Sequence, residues 1–243
     1  MSAVVVGASA GLGRALADAL AAAGHDLVLV SSDARDLDAL GSDLRIRHGV
    51  KVEGVPLDLG GGLDGLDRLT RAAGELGGPD AVLLPIGWTA ASDDATSSAE
   101  QAERLVRTNF LSAVAIVGAL LPALRAKPRS SVVGFGSVAG ARGRSKNMVY
   151  AASKRALQVW FEGLRHACSG SPVRVRFYVL GYLDTSLAFG RDTRLRRADP
   201  GRLARRVVRE LGREGVSYYP RAWRLVCAAL PLVPFFIYKH LRA

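Results

Sequence analysis

The first thirty residues constrain the fold more than any other stretch. Residues 3–6 (Ala-Val-Val-Val) read as a short buried strand, and Gly7-Ala8-Ser9-Ala10-Gly11-Leu12-Gly13 follows at once. A helix is predicted over 14–23, closed by Gly24, and a second strand over 26–30. Strand, glycine turn, helix and strand in this order make a βαβ unit, the context in which a glycine pattern signals a dinucleotide site. The glycines let the backbone approach a pyrophosphate. The helix N-terminus adds free N–H groups and the positive end of its dipole. The spacing is G-x-x-x-G-x-G rather than G-x-G-x-x-G.

The end of the second strand selects between the two nicotinamide cofactors. A carboxylate there binds ribose hydroxyls, whereas small polar or basic residues admit a 2′-phosphate. The strand here ends Val30-Ser31-Ser32-Asp33-Ala34-Arg35. Ser31, Ser32 and Arg35 favour NADP(H). Asp33 keeps NAD(H) open, unless it serves as the N-cap of the next helix.

At 243 residues, 49% apolar and 23% charged, the chain fits one α/β domain over 1–243 with a large core. Further strands are expected over 50–59, 81–84 and 131–135, and residues 96–126 as mostly helical with Asn109 inside. Asn109 is a poor helix former there. Either it occupies a capped or solvated position, or it is a buried amide serving a proton path. Gly60-Gly61-Gly62 is a surface turn. Regular alternation of strand and helix predicts a single Rossmann-like, doubly wound parallel sheet with helices on both faces, its ligand at the C-terminal strand edge.

Two cysteines, Cys168 and Cys227, give no disulfide framework, and the opening residues lack a basic segment and a long apolar run, so a cytoplasmic setting is expected. The four histidines show no ligand spacing, so no metal site is expected. The net charge is +11, and residues 191–213 alone carry nine arginines. That excess fits phosphate or anionic lipid, or simply solvated helix faces in an arginine-favouring genome. No nucleic-acid motif accompanies it, so no nucleic-acid partner is expected.

The chemistry is concentrated in residues 137–154. Tyr150 and Lys154 are four apart, one turn of a helix, and Ser137 lies thirteen residues before Tyr150, just after the apolar run 131–135 that reads as a buried strand. A phenol with a pKa near 10 is a poor acid at neutral pH, and a neighbouring ammonium favours the phenolate. A serine hydroxyl can hold a carbonyl oxygen while the tyrosine gives or takes the proton. A Tyr-x-x-x-Lys pair alone occurs by accident on helix surfaces; the serine and the N-terminal glycine turn give it weight.

Together, Gly7 to Gly13, Asp58, Asn109, Ser137, Tyr150-Ala-Ala-Ser-Lys154 and Gly181-Tyr-Leu-Asp-Thr185 resemble the classical short-chain dehydrogenases/reductases, colinearly over about residues 3–190. The resemblance implies an NAD(P)(H)-dependent oxidoreductase. Tyr150 would be the acid/base, Ser137 would orient the substrate oxygen, and Lys154 would lower the tyrosine pKa and bind the nicotinamide ribose. Asn109 would hold a water linking the lysine to solvent. Gly7, Ser9, Ala10, Gly11, Leu12 and Gly13 would bind the cofactor, as would Gly87, Gly181 and Leu183. Asp58 and Leu59 would contact the adenine, and Thr185 the carboxamide end. The usual Asn-Asn-Ala-Gly is replaced by Leu84-Pro85-Ile86-Gly87, and the usual Pro-Gly by Leu180-Gly181.

The run 141–150 and the tail are similar to an actinobacterial branch, the reductase subunit of decaprenylphosphoryl-ribose 2′-epimerase. That branch reduces a keto-pentose carried on a polyprenyl phosphate. Residues 225–238 carry no charge and are flanked by Arg221, Arg224, Lys239 and Arg242. The stretch is too short to span a bilayer, and Pro231 and Pro234 break it as a helix. The tail 220–243 therefore either packs on the protein or a partner, or docks peripherally on the inner face of a membrane. The expected substrate is a small-molecule or lipid-linked ketone. A soluble ketone of secondary metabolism, or a catalytically weak binding subunit, are the competing readings. The helices at 97–126 and 151–168 are those this family pairs, which implies a homodimer or homotetramer.

Overall fold

The structure, a computed structural model, describes residues 1–90, 92–185 and 197–240. Its core is one parallel sheet. The strands are β1 (Ser2–Val6), β2 (Asp26–Ser31), β3 (Val52–Pro56), β4 (Ala81–Leu84), β5 (Ser130–Ser137), β6 (Val173–Leu180) and β7 (Gly215–Tyr219). They lie in the order β3-β2-β1-β4-β5-β6-β7, with every neighbouring pair parallel. The order reverses between β1 and β4, and a cleft opens there at the C-terminal ends of the strands.

The strands are near-continuous apolar runs because both faces are covered. Successive residues point to opposite sides. Val4, Val6, Val28, Val30, Val82 and Leu84 enter one core, while Ala3, Val5, Leu27, Leu29, Ala81 and Leu83 enter the other. Helices α1 (Gly11–Ala22) and α2 (Ala34–His48) cover the second face. Helix α3 (Leu66–Glu75) covers the first. Next come α4 (Ala99–Val106), α5 (Ser112–Arg125) and α6 (Met148–Ala167), the last two packed on the first face. Helix α7 (Pro200–Arg209) lies on the second face. The tail contains α8 (Trp223–Ala229) and α9 (Phe235–Tyr238).

Several expected boundaries move. Helix α1 begins at Gly11, inside the glycine turn, rather than at residue 14. Strand β3 is shorter than residues 50–59: it ends at Pro56, and Asp58 and Leu59 lie in the loop at the cleft. Ser137 is the last residue of β5 rather than following it. The helix expected over 96–126 is interrupted by a π-turn, Arg107–Leu111, that contains Asn109. Taken together, residues Ala99–Arg125 are long and apolar enough to cross a membrane by length and composition, yet Ala113, Ile116, Val117, Leu120 and Leu124 belong to the core.

Candidate active site

The glycine turn is held by three requirements. Gly7 takes φ +85°, and Gly11 takes φ +51° with Thr185 only 3.2 Å from where a Cβ would stand. A Cβ at Gly13 would lie 1.8 Å from the Gly7 carbonyl oxygen, so α1 can pack on the turn only if that position is glycine. No side chain caps α1, whose N-cap residue is Ala10. Its first N–H groups are therefore open to the cleft, the arrangement a pyrophosphate requires. The residues present thus fit a dinucleotide.

At the end of β2 the Ser31 hydroxyl donates to Ser9 Oγ at 2.8 Å, and Arg14 Nε donates to the Ser9 carbonyl at 3.0 Å. Asp33 does not face the cleft. It is the N-cap of α2, its carboxylate accepting from the N–H groups of Arg35 at 2.9 Å and Asp36 at 3.4 Å. Arg35 does not line the cavity either: its guanidinium pairs with Asp33 at 3.2 Å and is almost wholly exposed. That pair holds the Asp33 carboxyl below the usual carboxylate range, through the hydrogen bonds from Arg35 first.

The cleft is a cavity of about 640 Å³. Gly7, Ser9, Ala10, Gly11, Leu12, Ser31, Ser32, Asp58 and Leu59 line one end. Gly87, Ser137, Tyr150, Lys154, Gly181, Leu183 and Thr185 line the cavity as well. Gly13, Arg35 and Asn109 do not; Gly13 packs beneath the turn, and Asn109 is fully buried behind the wall.

Lys154 is buried, and its Nζ donates to the Ile86 carbonyl at 2.6 Å and the Phe135 carbonyl at 3.3 Å. Burial pushes its ammonium down to about 8. The same Nζ lies 5.8 Å from the centroid of the Tyr150 ring. Ser137, at the end of β5, accepts from the Ala139 N–H at 3.1 Å and faces the same cavity. Serine, phenol and ammonium therefore converge on one volume.

Asn109 anchors the chain that leaves β4. Its Oδ1 accepts from the Trp88 N–H at 2.8 Å and its Nδ2 donates to the Trp88 carbonyl at 2.9 Å. Both halves of the amide bind the chain leaving β4, two residues beyond the Ile86 carbonyl that holds Lys154. The π-turn turns the side chain inward, and Ser112 Oγ donates to the Thr108 carbonyl at 2.7 Å.

Sequence reasoning missed Asp93. This buried aspartate accepts from the N–H groups of Val149 and Tyr150 and so caps α6, whose own N-cap Asn147 takes φ 55° and makes no side-chain cap. It lies 57 residues before Tyr150, beyond the reach of local pattern reading. Also missed was the wall made by the tail: Trp223, Val226 and Leu230 line the cavity. Arg142 donates to the carbonyls of Leu230 and Val233, its guanidinium sits 3.9 Å from the centre of the Tyr238 ring, and Tyr238 OH donates to the Gly143 carbonyl. The tail is thus tied to the loop between Ser137 and Tyr150. Its other side exposes Leu225, Leu232, Phe235 and Phe236. Of the arginine-rich stretch 191–213, residues 191–196 with Arg191, Arg194 and Arg196 lie outside the described residues, as do residues 186–190.

The model of the short chain dehydrogenase family matches residues 1–194. The chain belongs to that family. Among short-chain dehydrogenase relatives, an uncharacterized oxidoreductase of Myxococcus xanthus is 33% identical over 186 residues, 76% of this chain and 73% of that protein. An uncharacterized oxidoreductase of Mycobacterium tuberculosis is 28% identical over 239 residues, 98% of this chain and 96% of that protein, a span that includes the tail. A short-chain dehydrogenase from Sphingobium yanoikuyae, solved in complex with NADPH, superposes with a TM-score of 0.83 at 26% identity, covering 99% of this chain and 96% of that one.

Proposed function

We propose that this short-chain dehydrogenase is an NADP(H)-dependent reductase that interconverts a ketone and a secondary alcohol. The observation that carries the reading is the convergence of Ser137, Tyr150 and the buried Lys154 on one cavity behind the uncapped end of α1. When bound, the reduced nicotinamide supplies the hydride. Ser137 Oγ donates a hydrogen bond to the substrate carbonyl oxygen and Tyr150 OH gives that oxygen its proton. The Lys154 ammonium favours the phenolate that remains, and hydroxyls of a bound ribose compete for its donors. Asn109 is a positioning residue: through Trp88 it holds the Ile86 carbonyl against Lys154.

NADP(H) is favoured over NAD(H) because Asp33 is turned into α2 and no carboxylate meets the cavity at the end of β2. Ser9, Ser31 and Ser32 would hold the 2′-phosphate, with Arg14 and Arg35 within a side-chain swing. The NADPH complex of the Sphingobium relative supports this choice.

For the substrate we favour a keto-sugar carried on a polyprenyl phosphate. The run 141–150 resembles the reductase branch that acts on such a compound, and the same run is tied to a tail with apolar residues on both its sides. The exposed Leu225, Leu232, Phe235 and Phe236, with Arg221, Arg224 and Lys239 beside them, suit peripheral contact with the inner face of an anionic membrane. The apolar outer face of α5, with Val114, Ala115, Gly118 and Ala119, and the half-exposed Val159 of α6 suit a homodimer or homotetramer.

Fluorescence titration with NADPH and with NADH, on the wild type and Tyr150→Phe, tests the core of this reading. Tight NADPH binding by both proteins is expected, with ketone reduction lost in the variant. Binding of neither cofactor would reject it.

A further inference from the structure

Among the described residues, four charged side chains line the catalytic cavity: Asp58, Arg104, Arg144 and Lys154. Three of them are engaged. Arg104 Nη2 stands 3.8 Å from Asp58 and its guanidinium packs 5.4 Å from the Trp88 ring centre, while Lys154 donates to two carbonyls. Arg144 is the exception. It has no ion pair among the described residues, and its Nε is buried without a hydrogen-bond partner.

A buried guanidinium nitrogen left unsatisfied costs free energy that a bound acceptor recovers, and the fork of N–H groups suits a phosphate or carboxylate. Arg144 comes from the loop between Ser137 and Tyr150, far in the chain from the glycine turn that would meet the cofactor pyrophosphate. The same loop is tied through Arg142 to the tail, whose Trp223, Val226 and Leu230 present an apolar wall to the cavity. Among the described residues the cavity thus offers a cation without an ion pair, Arg144, and a neighbouring apolar surface.

We propose that Arg144 binds an anionic group of the substrate, a phosphate joined to an apolar chain, and thereby selects amphiphilic phosphate-bearing ketones over neutral ones. This deepens the carbonyl-reductase reading and rests on it for turnover; the binding step stands on the geometry alone.

The test is therefore a binding measurement first. Hexyl phosphate and hexanol are titrated into protein saturated with NADP⁺, with fluorescence of Trp88 and Trp223 at the cavity wall as the readout. Hexyl phosphate is expected to bind more tightly than hexanol. Arg144→Gln should weaken hexyl phosphate at least about tenfold, the span of a charge-assisted hydrogen bond, and leave hexanol and NADP⁺ unchanged. Arg144→Lys, which keeps the charge and loses the fork, should weaken it less. Equal binding of the two probes by the wild type, or equal hexyl phosphate binding by wild type and Arg144→Gln, would overturn the proposal. A parallel loss of NADP⁺ affinity would overturn it too, since Arg144 would then be a cofactor ligand. Failure of the protein to reduce any ketone with NADPH would sink the reductase reading while leaving the phosphate result intact.

Discussion

The Asp93 carboxylate accepts the main-chain N–H groups of both Val149 and Tyr150, at 2.8 and 2.9 Å. The first turn of α6, which carries the phenol, is thereby pinned to the chain between β4 and α4. Replacing Asp93 by Ala should cost about 1–2 kcal/mol of stability, as for loss of an N-cap. Because the main chain of Tyr150 would lose this anchor, kcat should fall more than NADPH affinity. Thermal unfolding and steady-state kinetics together check both halves.

Lys154 makes the enzyme sensitive to alkali. Its ammonium is held at about 8, below the ordinary lysine value of 10.5, so it loses the proton that favours the phenolate as pH rises through about 8. A pH profile of kcat/KM for carbonyl reduction should show an alkaline limb there, since that ratio reports the free enzyme. Stability should run the other way. Between about 8 and 10.5 the unfolded chain binds the proton that the folded chain has lost, so stability should rise with pH across this window, and Lys154→Met should flatten the rise.

Gly13→Ala would set a methyl group 1.8 Å from the Gly7 carbonyl oxygen. The expected outcome is a loss of several kcal/mol or outright misfolding, because two backbones rather than a side chain must separate. A soluble, folded Gly13→Ala protein with unchanged NADPH affinity would contradict the packing described for α1.

Ser32→Asp places a carboxylate where the 2′-phosphate is expected. Like charges in contact cost several kcal/mol, so NADPH affinity should fall on the order of a hundredfold while NADH is spared or gains. Asp33→Asn should leave the preference nearly unchanged, since that carboxylate already serves α2. Titration of both cofactors against both variants separates the two positions.

At the far edge of the sheet, Glu210 accepts from Arg176 Nη2 at 2.6 Å, from Arg206 Nε at 3.0 Å and from Tyr178 OH. Burial by itself would raise this carboxyl, but the hydrogen bonds from Tyr178 and Arg206 and the charge of Arg176 bring it below its usual range. Its contribution is present above the unfolded value of about 4.5 and is lost as pH falls through the lower folded value. Glu210→Gln should cost about 3 kcal/mol at neutral pH and less in acid, without altering NADPH affinity. Denaturant melts at two pH values read this out.

The elements legible in the sequence were those written in local pattern. The glycine turn, the apolar runs of β1, β2 and β4, and the four-residue spacing of Tyr150 and Lys154 each follow from neighbours in the chain. What escaped depends on distance in sequence. Asp93 caps a helix 57 residues away, and Asn109 turns inward because a π-turn adds a residue that propensity does not register. Arg35 looked like a phosphate ligand by position, yet its nearest carboxylate, Asp33, claims it first. The tail could be weighed only between packing and exposure; the structure shows both, on opposite sides of one segment.

That two-sided segment has an evolutionary consequence. Residues 223–238 meet the cavity through Trp223, Val226 and Leu230 and meet the surroundings through Leu225, Leu232, Phe235 and Phe236. Cavity-lining and solvent-exposed apolar positions are thus interleaved along one stretch of chain. Drift in either will disturb the other through Arg142, so paralogues that change substrate should also change the outer surface of this stretch.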